Sequence, residues 1–326
     1  GTSSLGTGTL TVNAVGITQT GAITQASSAG TATFNAGAGV ISLNNAANNF
    51  TGAVSLNNSG ANNVAITDVN AIDFGTSSLG TGTLTVNAVG ITQTGGAITQ
   101  ASSAGTATFN AGSAAINLTD AANNFTGAVS LSNSGANNVA VVDTNDITIG
   151  STTLGSGTFS VTGTNIKLNS GVTTNNSQTY NGNVVLASSV ILDTTNNGTL
   201  PTGAEVTILG SVTSETLNYG LVIKSGTSGD VLVTGPIGMV GSGVAMGSLV
   251  IAGNDITLSD IDGVVGNSNI SASDGNDIGS VTLSGTVYRT TGSLEISAGP
   301  RNSSNIVSNQ LKFTGGAPAS ATLIRT

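Results

Sequence analysis

The chain has 326 residues and a formal net charge of −9, with only 6 Lys and Arg residues and neither His nor Cys. Without clustered cations it cannot neutralise a row of phosphates, which excludes nucleic-acid binding, and without Cys it has no disulfide, thiolate metal site or cysteine nucleophile. Hydrophobic residues make up 38% of the chain and charged residues 6%, a balance that indicates a folded protein.

Near-identical copies open the chain. Residues 1–19 return unchanged at 75–93, and one inserted glycine then changes the offset from 74 to 75. Such repetition is typical of solenoids, so we expect residues 1–326 to form a single continuous structure. Its parts are copies at 1–74 and 75–149, a diverged third copy at 150–200, and more divergent coils at 201–326.

A shorter period lies inside the copies. Apolar-x-apolar triplets recur every 25 residues in the C-terminal half, beginning at Val206, Val231, Ile256 and Val281. In the first copy the corresponding spacing is 22, from Leu10 to Ala32 to Val54. We therefore expect a unit of 22–25 residues, with three 25-residue units in each 75-residue copy.

Each unit contains two or three segments in which apolar and polar residues alternate, such as Thr9-Leu10-Thr11-Val12. That alternation indicates half-buried strands, and clusters such as Asn57-Asn58-Ser59-Gly60 have turn chemistry. The pattern predicts an all-β fold, a right-handed parallel β-helix with 22–25 residues per coil. Val, Ile, Leu and Phe would face inward, Thr, Ser and Asn outward, with aligned Asn residues forming amide ladders. Antiparallel β-sandwich modules are the alternative, and the nested 25-residue spacing argues against them.

The candidate metal ligands are four aspartates in two acidic turns: Asp260, Asp262, Asp274 and Asp277. Stacked turns could bring carboxylate oxygens together for Ca²⁺, although no EF-hand loop or Ca²⁺-binding nonapeptide repeat is present. The competing interpretation is solvated turn aspartates that bond to the local backbone. The same interpretation applies to Asp68, Asp73, Asp143 and Asp146 in the equivalent turns of the first two copies. We predict no other cofactor.

Enzymatic activity is not expected. With no His and scattered cations, acid–base chemistry would fall to carboxylates, and Glu205, Glu215 and Glu295 show no pairing by spacing. The Thr-x-Thr segments could suggest an ice-binding face, but strand propensity on an outward face explains them as well. Phe34 and Phe50 recur at Phe109 and Phe125, which predicts core or corner positions. The tyrosines Tyr180, Tyr219 and Tyr288 are candidates for exposed contacts.

Several segments resemble the repeats of filamentous-haemagglutinin-type proteins, which are large two-partner-secretion exoproteins of Gram-negative bacteria. They include Gly8–Ala14, Ile17–Ile23, Gln178–Leu186 and Asn254–Leu258. The resemblance implies a β-helical shaft at the cell surface or outside the cell, with roles in adhesion, biofilm or contact between cells. It carries no catalytic motif.

Two functions remain open from the sequence. The first is a non-enzymatic shaft of a large secreted adhesin, which contacts host-cell or extracellular-matrix surfaces. The second is a self-assembling filament, sheath or surface-layer subunit, in which further copies stack end to end because the edges of a solenoid must be capped or paired. We expect no membrane insertion, since the charge-free stretch Val231–Gly253 is rich in Gly and contains Pro236.

Overall fold

The computed structural model describes residues 1–216, 218–238, 244–273, 279–298 and 311–313. Within these residues every regular element is a β-strand, and the strands stack in parallel as a β-solenoid of about 13 turns. The predicted all-β solenoid is therefore confirmed. The chain divides into two compact units, one of residues 1–157 with 162–164 and one of residues 158–161 with 165–326.

The first unit contains sixteen strands of two to ten residues. They are β1 (Ser3–Leu5), β2 (Leu10–Asn13), β3 (Ile17–Thr18), β4 (Ile23–Gln25), β5 (Ala32–Asn35), β6 (Ile41–Leu43), β7 (Val54–Asn57), β8 (Val64–Thr67), β9 (Ile72–Leu79), β10 (Leu84–Asn87), β11 (Ile91–Gln100), β12 (Ala107–Asn110), β13 (Ile116–Leu118), β14 (Val129–Ser132), β15 (Val139–Val142) and β16 (Ile147–Thr153).

The later strands follow the same style. They are β17 (Phe159–Leu168), β18 (Val172–Thr173), β19 (Gln178–Leu186), β20 (Val190–Asp193), β21 (Val206–Ile208), β22 (Val212–Ser214), β23 (Leu221–Lys224), β24 (Val231–Val233), β25 (Ile237–Gly238), β26 (Leu249–Gly253), β27 (Ile256–Leu258), β28 (Ile261–Val264), β29 (Ser268–Ala272), β30 (Val281–Leu283), β31 (Tyr288–Thr290), β32 (Leu294–Ala298) and β33 (Leu311–Phe313).

Strands stack in register from coil to coil, and both predicted spacings are confirmed. In the first unit β2, β5 and β7 pair at the 22-residue offset, with Leu10 opposite Ala32 and Ala32 opposite Val54. In the second unit β21, β24, β27 and β30 pair at the 25-residue offset, from Val206 through Val231 and onward. Side chains alternate across each strand, so one set faces the core and the other faces solvent.

The core is built from the predicted residues. Val, Ile, Leu and Phe at alternate strand positions are almost wholly buried in most of the described strands, whereas those of β1, β2 and β32 are half-buried. Phe34 contacts Phe50 edge to face, with ring centroids 5.8 Å apart, and Phe109 contacts Phe125 in the same way at 5.9 Å. The expectation that these phenylalanines fill the interior is confirmed. Such pairs add about 0.5–1.5 kcal/mol beyond the area that they bury.

The expectation that one copy equals three coils is wrong. A copy holds ten strand positions, namely β1–β8, the bridge residue Asn49 between β6 and β7, and Ile72 at the start of β9. Each position pairs with the third one after it: β1 with β4, β2 with β5, β3 with β6, β4 with Asn49, and so on. Three positions therefore make one coil, and ten positions make three and one third coils.

We call the stack of strands that pair with one another in successive coils a column. Because of the extra third of a coil, each strand of the second copy lies one column away from its equivalent in the first copy. In the first copy Leu-Thr-Val-Asn forms β2, which stacks under β5, β7 and then β9. In the second copy the same four residues form β10, which stacks on β8 in the column that begins with β3 and β6. A coil of the first unit spans 22 residues from Leu10 to Ala32 and again from Ala32 to Val54, so a 75-residue copy is longer than three of its coils.

Candidate functional surface

Asparagine ladders run along the outside of the first unit. Asn35 donates an amide hydrogen bond of 2.7 Å to Asn13 Oδ1, and Asn57 donates one of 2.9 Å to Asn35 Oδ1. In the second copy Asn110 donates to Asn87 Oδ1 at 2.8 Å. These residues sit at the ends of paired strands, where parallel register brings equivalent side chains one coil apart. The predicted amide ladders are confirmed, and their polar groups hold successive coils together.

Outward hydroxyls stand beside these ladders. On β10 and β12 Thr85 pairs with Thr108, and Thr108 pairs with Ser130 on β14. On the preceding coil the same column holds Ala65, opposite Thr85. The outward column is therefore small and polar but not uniformly threonine. This irregularity fits the strand-propensity explanation of the Thr-x-Thr segments better than a regular lattice-matching face.

The second unit has an outward column that departs from the expected Thr, Ser and Asn exterior. Ile191 of β20 pairs with Val222 of β23, and Val222 pairs with Val250 of β26. Ile191 is 44% exposed and Val250 is 37% exposed. The next position in the column is Asn269, so the apolar stripe ends there. This stripe corrects the prediction that outward positions are polar throughout.

Of the four calcium candidates, Asp260 and Asp262 lie within the described residues. Asp260 uses Oδ1 to accept hydrogen bonds from the backbone N–H groups of Thr286 and Val287 on the next coil. The part of the chain that the structure describes, which includes Asp262, contains no group of three or more Asp or Glu residues that could hold a metal ion. Asp274 and Asp277 lie outside the described residues. Asp260 thus has the turn-capping role of the competing interpretation.

Other exposed aspartates also brace neighbouring coils. Asp230 Oδ1 accepts from the backbone N–H of Asp255 at 3.1 Å and from the Asn254 side chain at 2.9 Å. Asp255 Oδ1 in turn accepts from the backbone N–H and the hydroxyl of Ser280. The 25-residue spacing places these groups in one column, each carboxylate bonding to the turn of the following coil.

Two of the aspartates that were predicted to lie in solvated turns, Asp68 and Asp143, are buried. Asp68 is 3% exposed; its Oδ2 accepts from Phe50 N at 2.7 Å, and its Oδ1 accepts from Asn70 N at 2.8 Å. Asp143 repeats this arrangement with the N–H groups of Phe125 and Asn145. Burial raises the pKa of both carboxyls above the ordinary value of 3.8, and the backbone hydrogen bonds oppose that rise.

Two of the three tyrosines that were predicted as candidates for exposed contacts are buried. Tyr180 is fully buried, donates a 2.9 Å hydrogen bond to Gln178 Oε1 and packs edge to face on Phe159. Burial raises its pKa well above 10.0. Tyr288 is only 6% exposed, so it too belongs to the interior. Tyr219 is half-buried.

A buried polar corner that was not predicted from the sequence occurs in both copies. Asn48 is fully buried; its Oδ1 accepts from Ile23 N at 2.9 Å, and its Nδ2 donates to the carbonyl groups of Leu43 and Thr67. Gln19 completes the corner by donating to Asn48 Oδ1 and accepting from Asn48 Nδ2. Asn123 and Gln93 form the equivalent corner in the second copy. Exact recurrence of both side chains was the available signal.

Comparison with known proteins gives one family. Residues 1–57 and 61–132 are similar to DUF5649, described as repeats of unknown function. The matched residues cover the first copy and most of the second, which is less than half of the chain. No curated protein matches the chain, and no solved structure matches it either. No described residue belongs to a helix that is long and apolar enough to cross a membrane.

Proposed function

We propose that this chain is a shaft segment of a large secreted bacterial surface protein, with a structural or adhesive role and no catalytic one. The observation that carries the proposal is the coil-on-coil registry of the first unit. There the outward amide groups of Asn13, Asn35 and Asn57 bond to one another, so surface chemistry serves stacking. A structure that grows by neighbour contacts suits reach and rigidity.

The carboxylates support the same proposal. Asp230, Asp255 and Asp260 each accept backbone hydrogen bonds from the following coil, and Asp68 accepts them inside the protein. These four carboxylates therefore already have partners in the fold. The resemblance to filamentous-haemagglutinin-type repeats adds the expectation of export to the bacterial surface, with host-cell or extracellular-matrix surfaces as contacts.

The test is the location of the protein on the cells that produce it. Antibodies raised against residues 1–149 should label intact cells, and external protease should remove the signal while a cytoplasmic marker survives. Labelling that requires lysis of the cells would contradict the proposal. Binding of the purified chain to immobilised matrix proteins, compared with a denatured sample, would separate an adhesive role from a purely structural one.

The second candidate is a filament, sheath or surface-layer subunit that stacks end to end. Parallel strands leave unpaired backbone groups at the ends of a stack, and these groups can pair with a further copy of the same protein. Electron microscopy of the purified chain at increasing concentration distinguishes the candidates. Ordered fibres would favour the subunit, whereas particles that stay separate would favour the shaft.

A further inference from the structure

We infer that the 75-residue copy is the unit by which this shaft changes length. Each added copy also displaces the repeated outward side chains by one column, that is, by one of the three faces of the solenoid. The inference deepens the proposed shaft function and rests on it for its biological meaning. Its physical basis is the pairing within the first unit, which stands independently. One copy would add three and one third coils, which is about 16 Å at ~4.8 Å per coil.

Equivalent strands pair with each other at both copy boundaries. Below the first boundary, β7 pairs with β9, with Asn57 opposite Ser78. Below the second, β14 pairs with β16, with Ser132 opposite Thr153. The equivalent strands carry Val-Ser-Leu in both copies, so an extra copy placed between them meets partners of the kind that it already has.

Glycine columns make that match exacting. A Cβ on Gly80 would lie 1.9 Å from the carbonyl oxygen of Gly60, and a Cβ on Gly155 would lie 1.9 Å from that of Gly135. Real Cβ atoms do not approach that closely. Positions 80 and 155 therefore require glycine, because each lies directly against a turn of the neighbouring coil. An insertion of a whole copy keeps each glycine over its own partner. An insertion shifted by one strand position places side chains there instead.

The one-column advance also decides what a partner meets. Thr11 and Asn13 lie on β2 in the first column, whereas the identical Thr85 and Asn87 lie on β10 in the second column. Neighbouring copies thus present the same side chains on different faces, and the pattern returns to its first face only after three copies. A flat, rigid partner that recognises one copy cannot bridge to the next.

The first experiment fixes the phase by disulfide formation, because the chain has no Cys of its own. Ala65 and Thr85 are direct neighbours on β8 and β10, so the pair Ala65→Cys with Thr85→Cys should oxidise readily under mild conditions. The pair Ser55→Cys with Thr85→Cys is the control, since these residues would be neighbours if a copy held three whole coils. Efficient oxidation of the control pair, or failure of the first pair, would overturn the inference.

The second experiment inserts a further copy of residues 75–149 after Phe74. Its matched control inserts the same residues in permuted order, 84–149 followed by 75–83, which keeps composition and length but shifts the phase by one strand position. The whole-copy insertion should melt within about 3 °C of the parent chain, and the permuted one should melt at least ~10 °C lower or aggregate. Equal melting of both variants, or collapse of the whole-copy variant, would refute the inference. Since both experiments use the purified chain, their failure is distinguishable from failure of the cell-surface labelling.

Discussion

The buried corner around Asn48 gives the sharpest test of how this solenoid is held together. Its side chain connects three coils, since it bonds to Ile23 below, to Leu43 in its own coil and to Thr67 above. Asn48→Ala would leave one backbone N–H and two carbonyl groups without their partner in or near the core. Each unsatisfied buried group costs about 1–3 kcal/mol, and two of the three contacts are only partly buried, so we expect a loss of roughly 2–4 kcal/mol.

Two measurements check this value. For a unit of this size the loss corresponds to a melting temperature lower by about 4–16 °C, followed by far-ultraviolet circular dichroism. Hydrogen exchange at the Ile23 amide should also accelerate, because Asn48 Oδ1 is its acceptor. Asn44→Ala is the matched control, since Asn44 is exposed and bonds only to Ser42 Oγ at 3.2 Å. Equal melting of the two variants, with unchanged exchange at Ile23, would refute the reasoning.

Three further predictions concern the core, the buried carboxyls and the surface. Phe109→Ala should destabilise the chain by about 3–5 kcal/mol in urea denaturation, and Phe109→Leu by less, because the cavity at a fully buried site is smaller; equal losses would contradict this. The raised pKa of Asp68 and Asp143 means that their contribution to stability is greatest below about pH 3.8 and falls as the pH rises through their folded pKa. Urea denaturation at a series of pH values across that window should show the fall in the free energy of unfolding, and Asp68→Asn should make this fall smaller. If the parent chain instead gained stability relative to Asp68→Asn as the pH rose, the sign of the prediction would be wrong. Lys167→Ala should change the free energy of unfolding by about 1 kcal/mol or less, since its 2.6 Å ion pair with Glu215 is over a third exposed on both sides; a larger loss in urea denaturation would reveal a structural role.

The regular part of the fold could be predicted because the sequence repeats its apolar positions at constant spacing. The triplets at Val206, Val231 and Ile256 lie opposite one another as their 25-residue spacing implies. Period two within each triplet fixed which side chains face inward. The phase of the copies could not be obtained in this way. Coil length varies locally, so a repeat length divisible by a coil length does not establish a whole number of coils.

The buried polar groups were harder to predict, because their partners come from other coils. Asp68 accepts a hydrogen bond from the backbone N–H of Phe50, 18 residues earlier, and a turn composition alone does not reveal that neighbour. The burial of Tyr180, by contrast, could have been predicted from the sequence. This residue lies two residues after Gln178 on β19, opposite the inward Ile208, so strict alternation would have placed it inside. At this position the strand register determines the burial of the side chain, although a tyrosine hydroxyl is compatible with exposure.

The sparsely charged exterior of the first unit, which carries Asp73, Asp120 and Asp146 but no Lys or Arg, has a consequence for the medium in which the protein works. Asparagine amides and threonine or serine hydroxyls form its outward columns, and only 6% of the whole chain is charged. Dissolved ions screen charges and leave bonds between neutral dipoles nearly untouched, with a Debye length of about 10 Å at 0.1 M. The amide ladders of the first unit are therefore bonds on which ionic strength has little to act, and they should hold its coils together in dilute and in saline water alike.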